Sequence, residues 1–94
     1  MKRPPITVAK QIDTTVTTTR AIMGSAAFAA GVADVRTGRP VRFDNFEDDN
    51  LWGYERGRAF AYLAPMSMPL RRGSRLNFEA LLLFSRALAR GEIL

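Results

Sequence analysis

The chain has 94 residues, the size of one small domain, and 47% of them are hydrophobic, which is enough for a single core. It contains no Cys, which excludes disulfides and thiolate metal sites, and no His, the commonest general base and metal ligand. The net charge is +5 and arginine outnumbers lysine 12 to 2, which favours planar, bidentate contacts with phosphate or carboxylate. High-GC coding explains the same arginine excess equally well.

Residues 1–17 are predicted to form an N-terminal arm that is irregular or β-prone. Pro4 and Pro5 oppose a helix start, and the stretch 13–19 is rich in β-branched residues. The small, apolar run 21–33 imitates the core of a signal peptide, but an acid lies in its would-be basic leader. That run is also too short to cross a membrane. We therefore expect a cytoplasmic protein without a membrane segment.

The first predicted helix covers about residues 20–37. Apolar and small residues recur there at helical spacing, and Gly38 suits the left-handed position that follows a helix. Gly24, Ala27 and Gly31 are small residues at roughly one-turn spacing, so another helix could approach them closely. Tight packing within the chain and a homodimer through this face both remain open.

A loop at 38–48 separates this helix from a second one at about 49–63. Its aromatics, Phe43 and Phe46, are expected to fold back onto the core or else to form an exposed contact surface. Asp48 or Asp49 is the expected N-cap, because a carboxylate satisfies the free N–H groups of a first turn.

The remaining segments predict a short hairpin and a third helix. Residues 66–76 contain Gly73 and form a connector in which a small hairpin is possible. The third helix covers about 78–90, with Asn77 as its cap and Gly91 at its end. The predicted fold is thus mainly α, with one helical domain at 18–94. Its predicted core consists of Phe28, Trp52, Phe60, Leu63, Leu81, Phe84 and Leu88.

No catalytic or metal-binding pattern is present. The four serines lack a His partner, and the acidic loop lacks the alternating ligands and central glycine of a calcium loop. We predict no enzyme activity, no metal and no cofactor. Arginines interleaved with aromatics are the stronger signal, since they could contact phosphates while an aromatic stacks on a base. The predicted nucleic-acid-binding residues are Arg39, Arg42, Tyr54, Arg56, Arg58, Arg71, Arg72 and Arg75.

Residues 27–58 resemble the ribosome modulation factor family and its small relatives. The resemblance rests on Ala27-Phe28, Gly31, Gly38, Pro40, Phe43, Trp52 and Gly57. The pattern YERGRAFA (54–61) also looks like that of short uncharacterised phage and proteobacterial proteins. The first resemblance implies a basic two-helix unit that lies on structured RNA.

Two functions follow as expectations. The first is a small basic protein that binds RNA or a ribonucleoprotein. The alternative is a protein–protein interaction module, such as a phage-encoded inhibitor of a host nucleoprotein complex that acts like an anti-CRISPR protein. In that case the contact would be the acidic stretch, which imitates phosphate or pairs with basic residues of the partner. The partner-binding residues would then be Asp44, Glu47, Asp48 and Asp49.

Overall fold

A computed structural model describes residues 19–93 of the chain, without the side chains of Asp48 and Asp49. The predicted arm at 1–17 lies outside the described residues. Residues 19–23 are helical, and three longer helices and a two-stranded hairpin follow. The elements are α1 (Ala26–Thr37), α2 (Asp48–Leu63), β1 (Arg71–Arg72), β2 (Arg75–Leu76) and α3 (Phe78–Ala89), with a short 3₁₀ turn at Phe43–Asn45. The mainly helical fold is therefore as predicted.

The predicted helix at 20–37 is interrupted at Gly24 and Ser25. The Ser25 hydroxyl donates to the carbonyl of Ile22 at 2.7 Å and accepts the N–H of Phe28 at 3.1 Å. A serine in extended conformation thereby ends one helical turn and caps the next helix. The prediction of one continuous helix was wrong because the apolar spacing continues across this cap.

Helix α1 crosses α2 at two glycines that bring the backbones into contact. A Cβ on Gly31 would overlap the Tyr54 carbonyl and lie 2.8 Å from the Arg58 nitrogen. A Cβ on Gly57 would overlap the Phe28 carbonyl. The small-residue face of α1 therefore packs within the chain. Ala27 and Gly31 are buried in this contact, whereas Gly24 is exposed.

The core lies where α1, α2 and α3 meet around three phenylalanines. Phe28 lies 5.7 Å from Phe60 and 5.1 Å from Phe84, measured between ring centroids. All three rings are fully buried, and Leu81 packs beside them. Edge-on and tilted rings of this kind add about 0.5–1.5 kcal/mol per pair beyond their buried area. These four predicted core residues are confirmed.

Two predicted core residues were assigned to the wrong side of α2. Trp52 and Leu63 are exposed, whereas Tyr54 is fully buried. The two glycines in α2, Gly53 and Gly57, face α1, and this sets the rotation of the helix. Leu88 is half-buried against the core.

The hairpin and α3 follow their local signals closely. Arg71 pairs with Leu76 and Arg72 with Arg75, and the turn contains Gly73 at φ 64°. The Asn77 side chain accepts the N–H of Glu79 at 3.2 Å, as predicted for the cap of α3. The N-cap of α2 is Glu47, one residue before the predicted acids, and its side chain makes no capping hydrogen bond.

The last described residues close the end of α3. Gly91 has φ 76°, and Glu92 donates its N–H to the carbonyl of Ala87 at 2.9 Å. Ile93 returns to the core and is buried. Within residues 19–93, no helix is long and apolar enough to cross a membrane.

Candidate nucleic-acid interface

The structure separates the predicted arginines into two groups with different surroundings. Arg71, Arg72 and Arg75 belong to the hairpin and are exposed. The others lie on α2 and on the loop before it. The second group consists of Arg39, Arg42, Arg56 and Arg58, together with Tyr54. The two groups differ in how exposed their guanidinium groups are and in how closely the chain packs around them.

The hairpin arginines are held by weak, exposed contacts. Arg71 donates to the carbonyl of Gly24 at 3.1 Å, which ties the hairpin to the turn before α1. Arg72 donates to the Asn77 side chain at 3.2 Å and lies 3.6 Å from Glu79. Both members of the Arg72–Glu79 pair are mostly exposed, so the pair stabilises the fold by less than about 1 kcal/mol. Arg72 can therefore leave this contact for a stronger one.

A shallow groove beside the hairpin is lined by Arg20, Arg75, Leu76 and Phe78. The side chains of Arg20 and Arg75 make no ion pair or hydrogen bond with any of the described residues. Phe78 is 61% exposed, so its ring is open to solvent next to these two cations. We call Arg20, Arg71, Arg72, Arg75 and Phe78 the hairpin surface.

Arg20 and Phe78 were not among the predicted site residues. Arg20 is distant from the hairpin in sequence, and only the fold brings it to Arg75. Phe78 is the first residue of α3, directly after the Asn77 cap, so its position at the start of a helix was a usable signal.

The second group is organised by Asp34, a buried acid that sequence reasoning missed. Its carboxylate accepts hydrogen bonds from Arg42 Nε at 2.9 Å and from the Tyr54 hydroxyl at 2.6 Å. Arg42 Nη2 donates to the second carboxylate oxygen at 3.1 Å, which makes the pair bidentate. Arg39 lies 3.9 Å from the same carboxylate. The Tyr54 hydroxyl also accepts the backbone N–H of Arg42 at 3.0 Å.

These contacts change the proton affinity of both charged groups. The hydrogen bonds from Arg42 and then Tyr54 hold the pKa of Asp34 below its ordinary value, although burial opposes the shift. The hydrogen bond to Asp34 raises the pKa of Arg42. Asp34 therefore remains ionised, and it joins α1 to the loop and α2.

Tyr54 cannot serve as the stacking residue that the sequence suggested. Its ring is fully buried and stacks on Phe46 with a centroid distance of 4.3 Å. Phe43 contacts the same ring edge-on at 6.3 Å. Both loop aromatics therefore fold back, although Phe43 remains half-exposed. A base has no access to Tyr54.

Arg56 and Arg58 are also engaged within α2. Arg56 lies 4.2 Å over the Trp52 ring and 3.1 Å from Glu55. Arg58 lies 6.0 Å from the centre of the Tyr54 ring. One guanidinium nitrogen in each arginine is buried without a hydrogen-bond partner among the described residues. These side chains are packed along the helix and point less freely to solvent than those of the hairpin.

The acidic stretch is the candidate contact of the alternative function, a protein–protein interaction module. Asp44 and Glu47 are exposed, and no described residue pairs with either carboxylate. The structure does not describe the side chains of Asp48 and Asp49. Among the side chains that the structure does describe, no three acidic groups are close enough to hold a metal ion together.

The fold and the surface define a small, basic, mainly helical protein. Comparison with known proteins gives no relative: no family model matches the sequence, and no curated protein or solved structure matches it significantly. The resemblance to ribosome modulation factor therefore stays a prediction.

Proposed function

We propose that this chain is a small, non-enzymatic protein that binds RNA or a ribonucleoprotein through the hairpin surface. The observation that carries the proposal is the groove in which Arg20 and Arg75 flank an exposed Phe78 without an acidic partner among the described residues. Unpaired guanidinium groups contact phosphates, and an exposed ring stacks on an unpaired base. The proposal places the protein in the cytoplasm.

The charges around this groove support an anionic partner. Four arginines belong to the hairpin surface, and Glu79 is the acid that pairs with one of them. Arginine is the preferred residue for phosphate because its planar group can donate two parallel hydrogen bonds. The resemblance of residues 27–58 to ribosome modulation factor supports structured RNA as the target.

A salt titration tests this proposal directly. Binding of a fluorescently labelled RNA hairpin with a single-stranded loop is measured by anisotropy over a range of salt concentrations. If four phosphates are neutralised, the logarithm of the affinity should fall with the logarithm of the salt concentration at a slope of about −3. A flat response would contradict an electrostatic contact.

A matched pair of double variants then locates the contact. Arg20→Gln with Arg75→Gln removes two cations from the groove, and the slope should become shallower by about 1.4–1.8. Arg86→Gln with Arg90→Gln removes the same charge from the exposed end of α3. This control should change the slope much less. Equal losses in both variants would show a response to net charge and would reject the hairpin surface.

The exposed carboxylates of Asp44 and Glu47 favour a second candidate, a protein-interaction module that contacts a basic partner. Val41 and Phe43 are exposed beside them, as in a contact with an apolar centre and a charged rim. A tagged pull-down from lysate with and without nuclease separates the candidates. Loss of the captured proteins after nuclease supports RNA binding, whereas one complex that survives nuclease supports the module. Charge reversal of Asp44 and Glu47 should then abolish the capture.

A further inference from the structure

Phe78 is a large apolar side chain that the fold leaves mostly in water. It is the first residue of α3, and 61% of it is exposed. The three phenylalanine rings of the core contact one another, but no described aromatic residue contacts the ring of Phe78. Most of this ring is therefore free to contact a partner.

The backbone that carries the ring is fixed from both sides. Asn77, directly before Phe78, is buried and donates from its side-chain amide to the Pro69 carbonyl at 2.8 Å. Its backbone N–H donates to the Leu70 carbonyl at 2.9 Å. Leu76 lines the groove beside the ring and packs against the core. Because this support is formed before a ligand arrives, binding costs little ordering of the chain.

The two free cations of the groove come from separate segments that Arg71 joins. Its guanidinium donates to the carbonyl of Gly24 at 3.1 Å and to that of Ser74 at 3.3 Å, which holds the hairpin against the segment that carries Arg20. Arg20 and Arg75 then line one groove without an acidic partner among the described residues. Two like charges in one groove repel each other, and a bound anion relieves that repulsion.

Glu79 is the acid next to the ring in the sequence, and it has a cation of its own. Its carboxylate lies 3.6 Å from Arg72, which also donates to the Asn77 side chain at 3.2 Å. The four arginines of the hairpin surface therefore stay in excess over this one carboxylate. The surroundings of Phe78 thus combine an exposed ring with a net positive charge.

We propose that the hairpin surface binds an unpaired nucleotide, with Phe78 stacked on its base and Arg20 and Arg75 on the adjacent phosphates, and so selects single-stranded over duplex RNA. This inference rests on the proposed function and names its substrate class. In a duplex, each base face is covered by the next base pair, so phosphates and groove edges are what a protein contacts. Those groups give the Phe78 ring no partner, whereas an unpaired base offers it a face.

An RNA of about 12 nucleotides, measured by anisotropy alone and paired with its complement, tests this selection. Phe78→Ala should lower the affinity for the single strand about 5-fold to 150-fold, which corresponds to the loss of one stacked base. The same variant should lower the affinity for the duplex by less than about twofold, because the ring has no base to stack on there. Phe78→Trp should retain the single-strand affinity, since an indole ring also stacks on a base.

Tyr62→Ala is the matched control. Tyr62 is an aromatic residue of similar exposure on α2, outside the hairpin surface. Its replacement should leave the affinity for both forms of the RNA unchanged. Far-UV circular dichroism confirms that all three variants fold.

The outcomes separate this inference from the proposed function. Phe78→Ala could leave single-strand binding unchanged, or weaken both forms equally, while Arg20→Gln with Arg75→Gln still weakens binding. The hairpin surface would then contact phosphates alone, and the selection of an unpaired nucleotide would be overturned. If the parent chain binds neither form of the RNA, the proposed function is rejected and this inference with it.

Discussion

Replacing Gly57 with alanine should destabilise the protein strongly, although alanine is the better helix former. The new Cβ would overlap the Phe28 carbonyl oxygen and would lie 2.9 Å from its carbon and 3.0 Å from Cα. These are backbone atoms of α1, which cannot rotate away as a side chain could. The two helices must therefore separate by about 1 Å to restore ordinary carbon contacts.

The cost of that separation follows from the core beneath the crossing. A gap of about 1 Å removes a quarter to a half of the dispersion energy of the contacts it opens. Overpacking costs about 1–3 kcal/mol, and a clash with backbone atoms lies at the upper end of that range, while the helix propensity of alanine returns about 1 kcal/mol. The free energy of unfolding should therefore fall by about 2 kcal/mol. This is a large share of the ~5–14 kcal/mol that a domain of this size has.

Gly53→Ala is the matched control, one turn earlier on the same helix. A Cβ there would meet the Ser25 hydroxyl oxygen at 3.5 Å and the Ala27 Cβ at 3.7 Å, which are ordinary contacts. This variant should be more stable than the parent by about 0.5–1 kcal/mol. Urea unfolding followed by circular dichroism measures both values. If Gly57→Ala were as stable as Gly53→Ala, the close approach of α1 and α2 would be refuted.

Three further substitutions test the core, the cap and the buried acid. Phe84 is fully buried, so Phe84→Ala should lower the free energy of unfolding by about 3–5 kcal/mol. Leu63 is exposed, so Leu63→Ala should lower it by less than about 1 kcal/mol. Urea unfolding measures both values. Asn77→Ala should cost about 2–3 kcal/mol in the same assay, because it removes the cap of α3 and a buried 2.8 Å bond to the Pro69 carbonyl. Folding lowers the pKa of Asp34, so the ionised carboxylate stabilises the folded state at any pH above its ordinary pKa of about 4. This stabilisation is lost as the pH falls through the lower pKa of the folded state. Asp34→Asn should flatten that acid-induced loss in unfolding curves recorded from neutral to low pH, and an unchanged pH profile would contradict the role assigned to this carboxylate.

The helix ends were predictable because their signals are local. Gly38 and Gly91 both have the left-handed conformation that their positions suggested, and Asn77 caps α3. Each of these depends on one side chain and the few backbone groups beside it. The interruption at Ser25 is equally local, but its signal was hidden within a run of small residues that continues the helical spacing.

The rotation of α2 was harder to predict because hydrophobicity and packing favour different faces. Trp52 is the more apolar side chain, so it was assigned to the core in place of Tyr54. The close approach of α1 instead places Gly53 and Gly57 on the buried face. Two glycines one turn apart were therefore a better indicator of the buried face than the tryptophan.

The cluster of Asp34, Arg42 and Tyr54 could have been predicted from the sequence only in part. Asp34 follows Ala27 and Gly31 at helical spacing, so the sequence places an acid on the small-residue face of α1. The pairing of that acid with Arg42 and Tyr54 depends on where the loop returns, and the sequence carries no signal for that. Arginines that look alike in the sequence therefore differ in whether an acid already holds them.

An arginine that an acid holds contributes to stability, whereas an arginine without an acidic partner is available for binding, and substitutions can tell the two apart. Arg42 is fixed by Asp34 through a bidentate pair, so its removal leaves a buried carboxylate without its main partner and should weaken the fold. Arg75 has no partner among the described residues, so its removal should leave unfolding almost unchanged and should weaken a contact with phosphate. The net charge of +5 therefore overstates the cations that are free to bind, and their number is better judged from the hairpin surface than from the composition.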